Sequence, residues 1–95
     1  MSASDPVIHR LQLYVVQSSL SSERAVANVR ALCDEFLSGR YELDVIDIAE
    51  HPEAAAAMQV IASPTLIRSH PEPTARLIGD LSERELVIAA LGLDL

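Results

Sequence analysis

Apolar and polar positions along this chain follow two periods, and the switches between them mark seven elements. Residues 7–16 read as a strand. Ile8, Arg10, Gln12 and Tyr14 alternate imperfectly with Val7, His9, Leu11, Leu13 and Val15, and the end of the run is almost wholly apolar, as in a strand covered on both faces. Residues 23–37 switch to helical spacing. Ala25, Val26, Val29, Leu32, Cys33, Phe36 and Leu37 form one stripe, with Arg24, Asn28, Arg30, Asp34 and Glu35 elsewhere. Residues 41–48 return to a strand, with Glu42 and Asp44 alternating against Leu43 and Val45 before Ile46 and Ile48. A short helix opens at Pro52 and runs to about Met58 or Val60. Residues 64–68 and 75–78 read as a third and fourth strand, paired as a hairpin around the turn His70-Pro71-Glu72-Pro73. A last helix runs over residues 82–91.

Small polar residues, glycine and proline supply the boundaries. Ser19 or Ser21 is placed to cap the first helix, and Gly39 suits the left-handed position after it. Ser82 with Glu85 three residues on has the form of a capping box, and Gly92 suits the helix stop. Gly79-Asp80 breaks the fourth strand. Pro64 lacks a backbone donor, so it belongs at the first position of the third strand and presses Ser63 toward an extended conformation. The ordinary preference of an X-Pro bond is trans. The order is β-α-β-α-β-β-α. The first two strands, joined by a helix, are parallel with a right-handed crossover. The fold class is α/β with a mixed four-stranded sheet, in one domain over residues 1–95, with residues 1–6 expected to be flexible.

Composition narrows the function. The net charge is −7, and all seven cations are arginine. An acidic chain is a poor partner for nucleic acid or an anionic membrane, so protein or small-molecule partners are expected. No run of about eighteen apolar residues is present, and the N-terminus has no basic-then-apolar signal pattern, so a cytoplasmic location is expected. One cysteine, Cys33, excludes an intrachain disulfide.

Candidate chemistry is sparse. Cys33 lies on the apolar stripe, where a free cysteine is commonly a small core hydrophobe; a reactive thiol needs exposure and positive surroundings. His9, His51 and His70 have no metal-ligand spacing, and surface or capping roles suit them better. Asp44 and Asp47 are three apart on a strand and face opposite ways. No glycine-rich phosphate loop and no G-x-S-x-G motif is present. The expectation is no enzyme, no cofactor and no metal. The competing enzyme reading is a lone peroxidatic or transferase thiol at Cys33.

The topology and the Ser63-Pro64-Thr65 corner resemble the thioredoxin fold, in which the proline before the third strand is typically cis. The C-x-x-C motif of that family would fall at Gln17-Ser18-Ser19-Leu20, where there is no cysteine, so thioredoxin-type redox chemistry is not expected. A closer resemblance is to the KaiB family of circadian-clock proteins, which includes the KaiB-like sensor domain of the clock histidine kinase SasA. It runs from Leu11 to Leu91. Its marks are Leu13-Tyr14-Val15, Tyr41-Glu42-Leu43-Asp44-Val45-Ile46-Asp47, Ala62-Ser63-Pro64-Thr65-Leu66, and Ile78-Gly79-Asp80-Leu81-Ser82 followed by Arg84-Glu85. Pro64, Gly79 and Asp80 carry the structural part of that signature. The resemblance implies a non-enzymatic regulator that binds the ring-shaped ATPase KaiC. It also implies an alternative ground-state fold of the C-terminal half, formed as a tetramer.

Departures from the family pattern shape the expectation. Asp44 and Gln59 stand where the family often has lysines that face the ATPase. Ala90-Leu91-Gly92 stands where KaiB tends to carry Gly-Leu-Asp, and alanine favours helix over glycine by about 1 kcal/mol. Ala90 thus tilts the segment toward a continuous helix. The chain ends at Leu95 without the longer tail of clock KaiB, which points the same way. The expected molecule is a constitutive thioredoxin-like adaptor for a KaiC-like ATPase or a signalling histidine kinase, with a dimer or tetramer as possible assemblies. The expected protein-binding residues are Arg24, Arg40, Tyr41, Asp44 and Gln59.

Overall fold

The seven expected elements are present, in the expected order. The structure, a computed structural model, describes residues 7–93. The expectation about residues 1–6 lies outside them. The elements are β1 (His9–Val15), α1 (Leu20–Phe36), β2 (Tyr41–Asp47), α2 (Pro52–Ala57), β3 (Thr65–His70), β4 (Ala75–Ile78) and α3 (Arg84–Leu91). The sheet order is β2-β1-β3-β4. β1 runs parallel to β2, with His9 opposite Tyr41 and Val15 opposite Asp47. β3 is antiparallel to β1, Tyr14 facing Thr65, and β4 is antiparallel to β3, Thr65 facing Ile78. The mixed four-stranded sheet is therefore as read from the sequence, and β2 and β4 are its edges.

The imperfect alternation in β1 has a simple cause: both faces of this central strand are covered. Leu11, Leu13 and Val15 pack with Ala25, Val29, Leu32, Cys33 and Leu37 at α1, and with Val87 and Leu91 of α3. Tyr14 and Ile67 point the other way, into a smaller cluster with Ala55 of α2. Each such large side chain, once buried, contributes about 1.5–3 kcal/mol by removal from water. The larger cluster joins residues from all but the short helix, so it holds the fold together.

Several boundaries differ from expectation. α1 begins one turn early, at Leu20. Ser19 is its N-cap, with Oγ accepting from the Ser22 N–H at 3.3 Å. Buried Ser22 adds a second tie, accepting the Val16 N–H at 3.1 Å. Gly39 lies one position later than read. It has φ +74° in a turn closed by the Arg40 N–H on the Leu37 carbonyl at 2.7 Å. β3 starts at Thr65 and runs on to His70.

The capping box read at Ser82 and Glu85 does not form. α3 starts at Arg84 with Glu83 at the N-cap and no side-chain cap bond. Asp80 is the reason: its Oδ1 accepts the Ser82 N–H at 3.1 Å, and Leu81 follows it at φ +63°, so the chain is still turning where the helix was expected. The C-terminal end is as read. Ala90 lies within α3, and Gly92 closes it at φ +66°.

Pro64, fully buried, begins the corner as expected, and the Ser63-Pro64 peptide is cis, as are His70-Pro71 and Glu72-Pro73. Gly79 sits against that corner. Its N–H donates to the Pro64 carbonyl at 2.9 Å and its φ is +119°, a region closed to side chains. A Cβ added there meets nothing within 4 Å, so the penalty is conformational alone. Gly79→Ala is expected to destabilise by about 1–3 kcal/mol, read as a lowered urea midpoint. A loss under about 0.5 kcal/mol would show that the loop relaxes around the substitution.

Candidate functional site

The loop that joins β1 to α1 lies beside Pro64, because Tyr14 and Thr65 are neighbours across the sheet. In a thioredoxin-type enzyme this corner holds a reactive dithiol. Here it carries Gln17, Ser18, Ser19 and Leu20. The backbone leaves the strand through Ser18 at φ +71°, and Ser19 enters the helix cap. The lone thiol is elsewhere. Cys33 is fully buried on α1, and burial first, then the Asp34 carboxylate, pushes its pKa up to about 11. A thiol so placed stays protonated at neutral pH and is closed to solvent. Among the described residues, no three His, Cys, Asp or Glu side chains converge as a metal site would require.

The corner is instead apolar and exposed. Val16 and Leu20 come from the β1–α1 junction, Ile61 from the loop before Pro64, and Ile78 from the end of β4. Ile61 is 94 % exposed and Leu20 61 %. The pairing of β1 with β3 and of β3 with β4 sets all four toward one end of the sheet, a placement for which the sequence held no local signal. Such a group at one end of a sheet marks an interaction surface more readily than scattered single residues do. Beside it, a recess of about 90 Å³ lies between β4 and α3, lined by Leu77, Ile78, Leu81 and Leu86 among others.

The five residues expected to bind protein fall in three places. Arg40, Tyr41 and Asp44 lie together along β2, a free edge of the sheet. The Tyr41 hydroxyl donates to Asp34 Oδ1 at 2.7 Å, and that bond to a carboxylate raises the phenol pKa. Arg40 Nη2 donates to the Phe36 carbonyl at 2.9 Å, at the electronegative end of α1. Asp44 is exposed opposite Gln12. Arg24 lies at the other end of the molecule, near the apolar corner and close enough to Asp80 to help keep that carboxyl's pKa low, after the stronger bonds from Ser82. Gln59 stands apart from both. It ends α2 at φ +55°, and its carbonyl accepts from Arg76 Nη1 at 3.3 Å, while Arg76 Nη2 holds the Met58 carbonyl at 2.6 Å. The backbone at Gln59 is thus fastened to β4, while its side chain is exposed.

The KaiB domain family model matches residues 12–93. The chain is 40 % identical over 85 residues to the circadian clock protein KaiB3 of Synechocystis sp., covering 90 % of this chain and 81 % of the relative. It is 42 % identical over 85 residues to the circadian clock oscillator protein KaiB of Prochlorococcus marinus, covering 90 % of this chain and 70 % of the relative. Among solved structures, the N-terminal domain of Synechococcus elongatus SasA superposes with a TM-score of 0.74 at 20 % identity, over 97 % of this chain and 90 % of that one. Thioredoxin from Fasciola hepatica superposes at 0.72 with 21 % identity, over 94 % and 84 %. These two likenesses establish the thioredoxin-like fold.

Proposed function

Because the chain belongs to the KaiB family, we propose that it is a non-enzymatic regulatory module of a clock-type system, binding a KaiC-like ATPase through protein contacts. One observation carries the reading. The corner that serves redox chemistry on this fold lacks a thiol and presents Val16, Leu20, Ile61 and Ile78 to solvent. Apolar side chains at that position suit docking, with Arg24 and Asp80 as a charged margin. The β2 edge with Arg40, Tyr41 and Asp44 is a second strip for contact, its outer backbone groups free to pair with a partner strand. Among the described residues no helix is long and apolar enough to cross a membrane, which accords with a partner met in the aqueous phase.

The test is a binding titration of the whole chain against a KaiC-like ATPase from the same source, with the mass of free chain and complex measured on the same samples. Saturable binding is expected. Ile61→Glu and Leu20→Glu should each weaken it by about tenfold or more, as loss of an apolar anchor does. Arg24→Glu should weaken it less, since a margin charge chiefly alters the association rate. No binding by the wild-type chain, in any nucleotide state of the ATPase, would overturn the reading. Binding to a histidine kinase instead would assign the chain to the signalling-adaptor alternative.

A further inference from the structure

At the end of the sheet away from Pro64, a recess of about 100 Å³ lies where β1 begins and α1 and α3 end. His9, Phe36, Leu37, Arg40, Gly92 and Leu93 line it. Its polar wall is cationic, although the chain carries a net charge of −7. The His9 backbone N–H donates to the Arg40 backbone carbonyl at 2.9 Å, which sets the two residues side by side. Arg68 stands opposite Leu11 on the neighbouring strand, and its Nη1 lies 3.9 Å from where a Cβ on Gly92 would sit. His70 is on the same strand as Arg68.

Helix capping accounts for part of this. Arg40 and Arg68 each give one guanidinium nitrogen to a terminal helix carbonyl, of Phe36 and Leu91. Capping does not account for the other polar atoms. His9 Nδ1 is buried with no hydrogen-bond partner among the described residues. So is Arg68 Nε, on a side chain only 7 % exposed. Among the described residues, the charges acting on His9 are all positive. Burial first, then Arg68, Arg40 and His70, hold its pKa below the usual histidine value. No carboxylate from β1, β3, the turn before β2, α1 or α3 acts against them.

We propose that this recess binds a small oxyanion, an inorganic phosphate or a small carboxylate, held by His9 and Arg40 with Arg68 behind them. Such an anion accepts from the Arg40 guanidinium, only one nitrogen of which is given to Phe36, and from a charged His9 ring, and bonds between ionised partners are the stronger kind. Binding is linked to protonation of His9, since an anion at the imidazole favours the imidazolium. The two equilibria therefore shift each other by the same factor. A carboxylate, whose charge is constant over this range, binds more tightly as pH falls and His9 takes up its proton, while phosphate sheds part of its own charge over the same range and gains less; without an anion a charged His9 among two arginines is disfavoured.

The experiment follows the His9 ring nitrogens by NMR in the whole chain as sodium phosphate replaces sodium chloride at constant ionic strength. Acetate is a parallel arm. A saturable millimolar shift of His9, absent for exposed His51, with the His9 pKa raised by about one unit, is the expected result. Arg40→Gln should weaken it about tenfold in a chain of unchanged fold. A response to acetate but not phosphate assigns the site to carboxylates, and the reverse to phosphates. No saturable shift, the same shift with chloride alone, or indifference to Arg40→Gln would overturn the proposal.

Discussion

Arg68→Ala is expected to lower the unfolding free energy by about 3–5 kcal/mol, a large part of what a domain of this size has. Arg68 is a buried charge on β3 with no carboxylate partner among the described residues. Its place is explained by carbonyls. Nη1 donates to Leu91 at the end of α3, and Nη2 to Pro73 at 2.8 Å in the turn before β4. One side chain thus fastens β3, the β3–β4 turn and the C-terminal helix. Removal leaves two acceptors without donors, each worth about 1–3 kcal/mol, and a void where the stem lay. Arg68→Met separates these effects. It keeps much of the volume and removes the desolvated charge, so its loss should be smaller, about 1–3 kcal/mol. Urea unfolding reads both as midpoint shifts at unchanged slope. A loss below about 1 kcal/mol for alanine would mean that the apolar cluster alone seats α3.

Arg68 also shows where sequence reading stops. Element order, sheet type and the Pro64 corner were legible, because hydrophobic period, proline and glycine act over a few residues. Val29, Leu32 and Cys33 announce a helix face whatever lies against it. Arg68 gave no such signal: at the end of an apolar run it reads as the polar close of a strand. Its burial depends on Leu91, twenty-three residues on. The same limit explains the failed capping box. Ser82 and Glu85 have the right spacing, but Asp80 takes the Ser82 N–H first. It explains the candidate site as well. Arg40, Tyr41 and Asp44 are neighbours in sequence and share one edge. Gln59 was grouped with them by resemblance and Arg24 as an expected contact, and both are held apart by topology. The Leu20 and Ile61 patch was missed because its members meet only through the pairing of β1 with β3.

In the native chain, a maleimide is expected to alkylate Cys33 at least about a thousandfold more slowly than in denaturant. Two effects act together. The thiol is fully buried, so reagent reaches it only through opening of the fold. With a pKa of about 11, it also supplies far less thiolate at neutral pH than an ordinary cysteine. The rate should therefore rise with urea in step with the unfolded fraction. The raised pKa has a signed consequence for stability. The unfolded thiol ionises first, from its ordinary value of 9.0, so Cys33 is neutral to stability below that pH. Between pH 9 and about 11 the unfolded state gains and the fold loses. Tyr41, also raised, adds to that decline, and Cys33→Ala should leave only the tyrosine's share. Alkylation of the native chain within about tenfold of the denatured rate would place the thiol in reach of substrates. The single-cysteine enzyme would then displace the binding module as the reading of this fold. Slow, urea-dependent alkylation keeps Cys33 in the core beside β1 and leaves the proposed binding module as the reading of this fold.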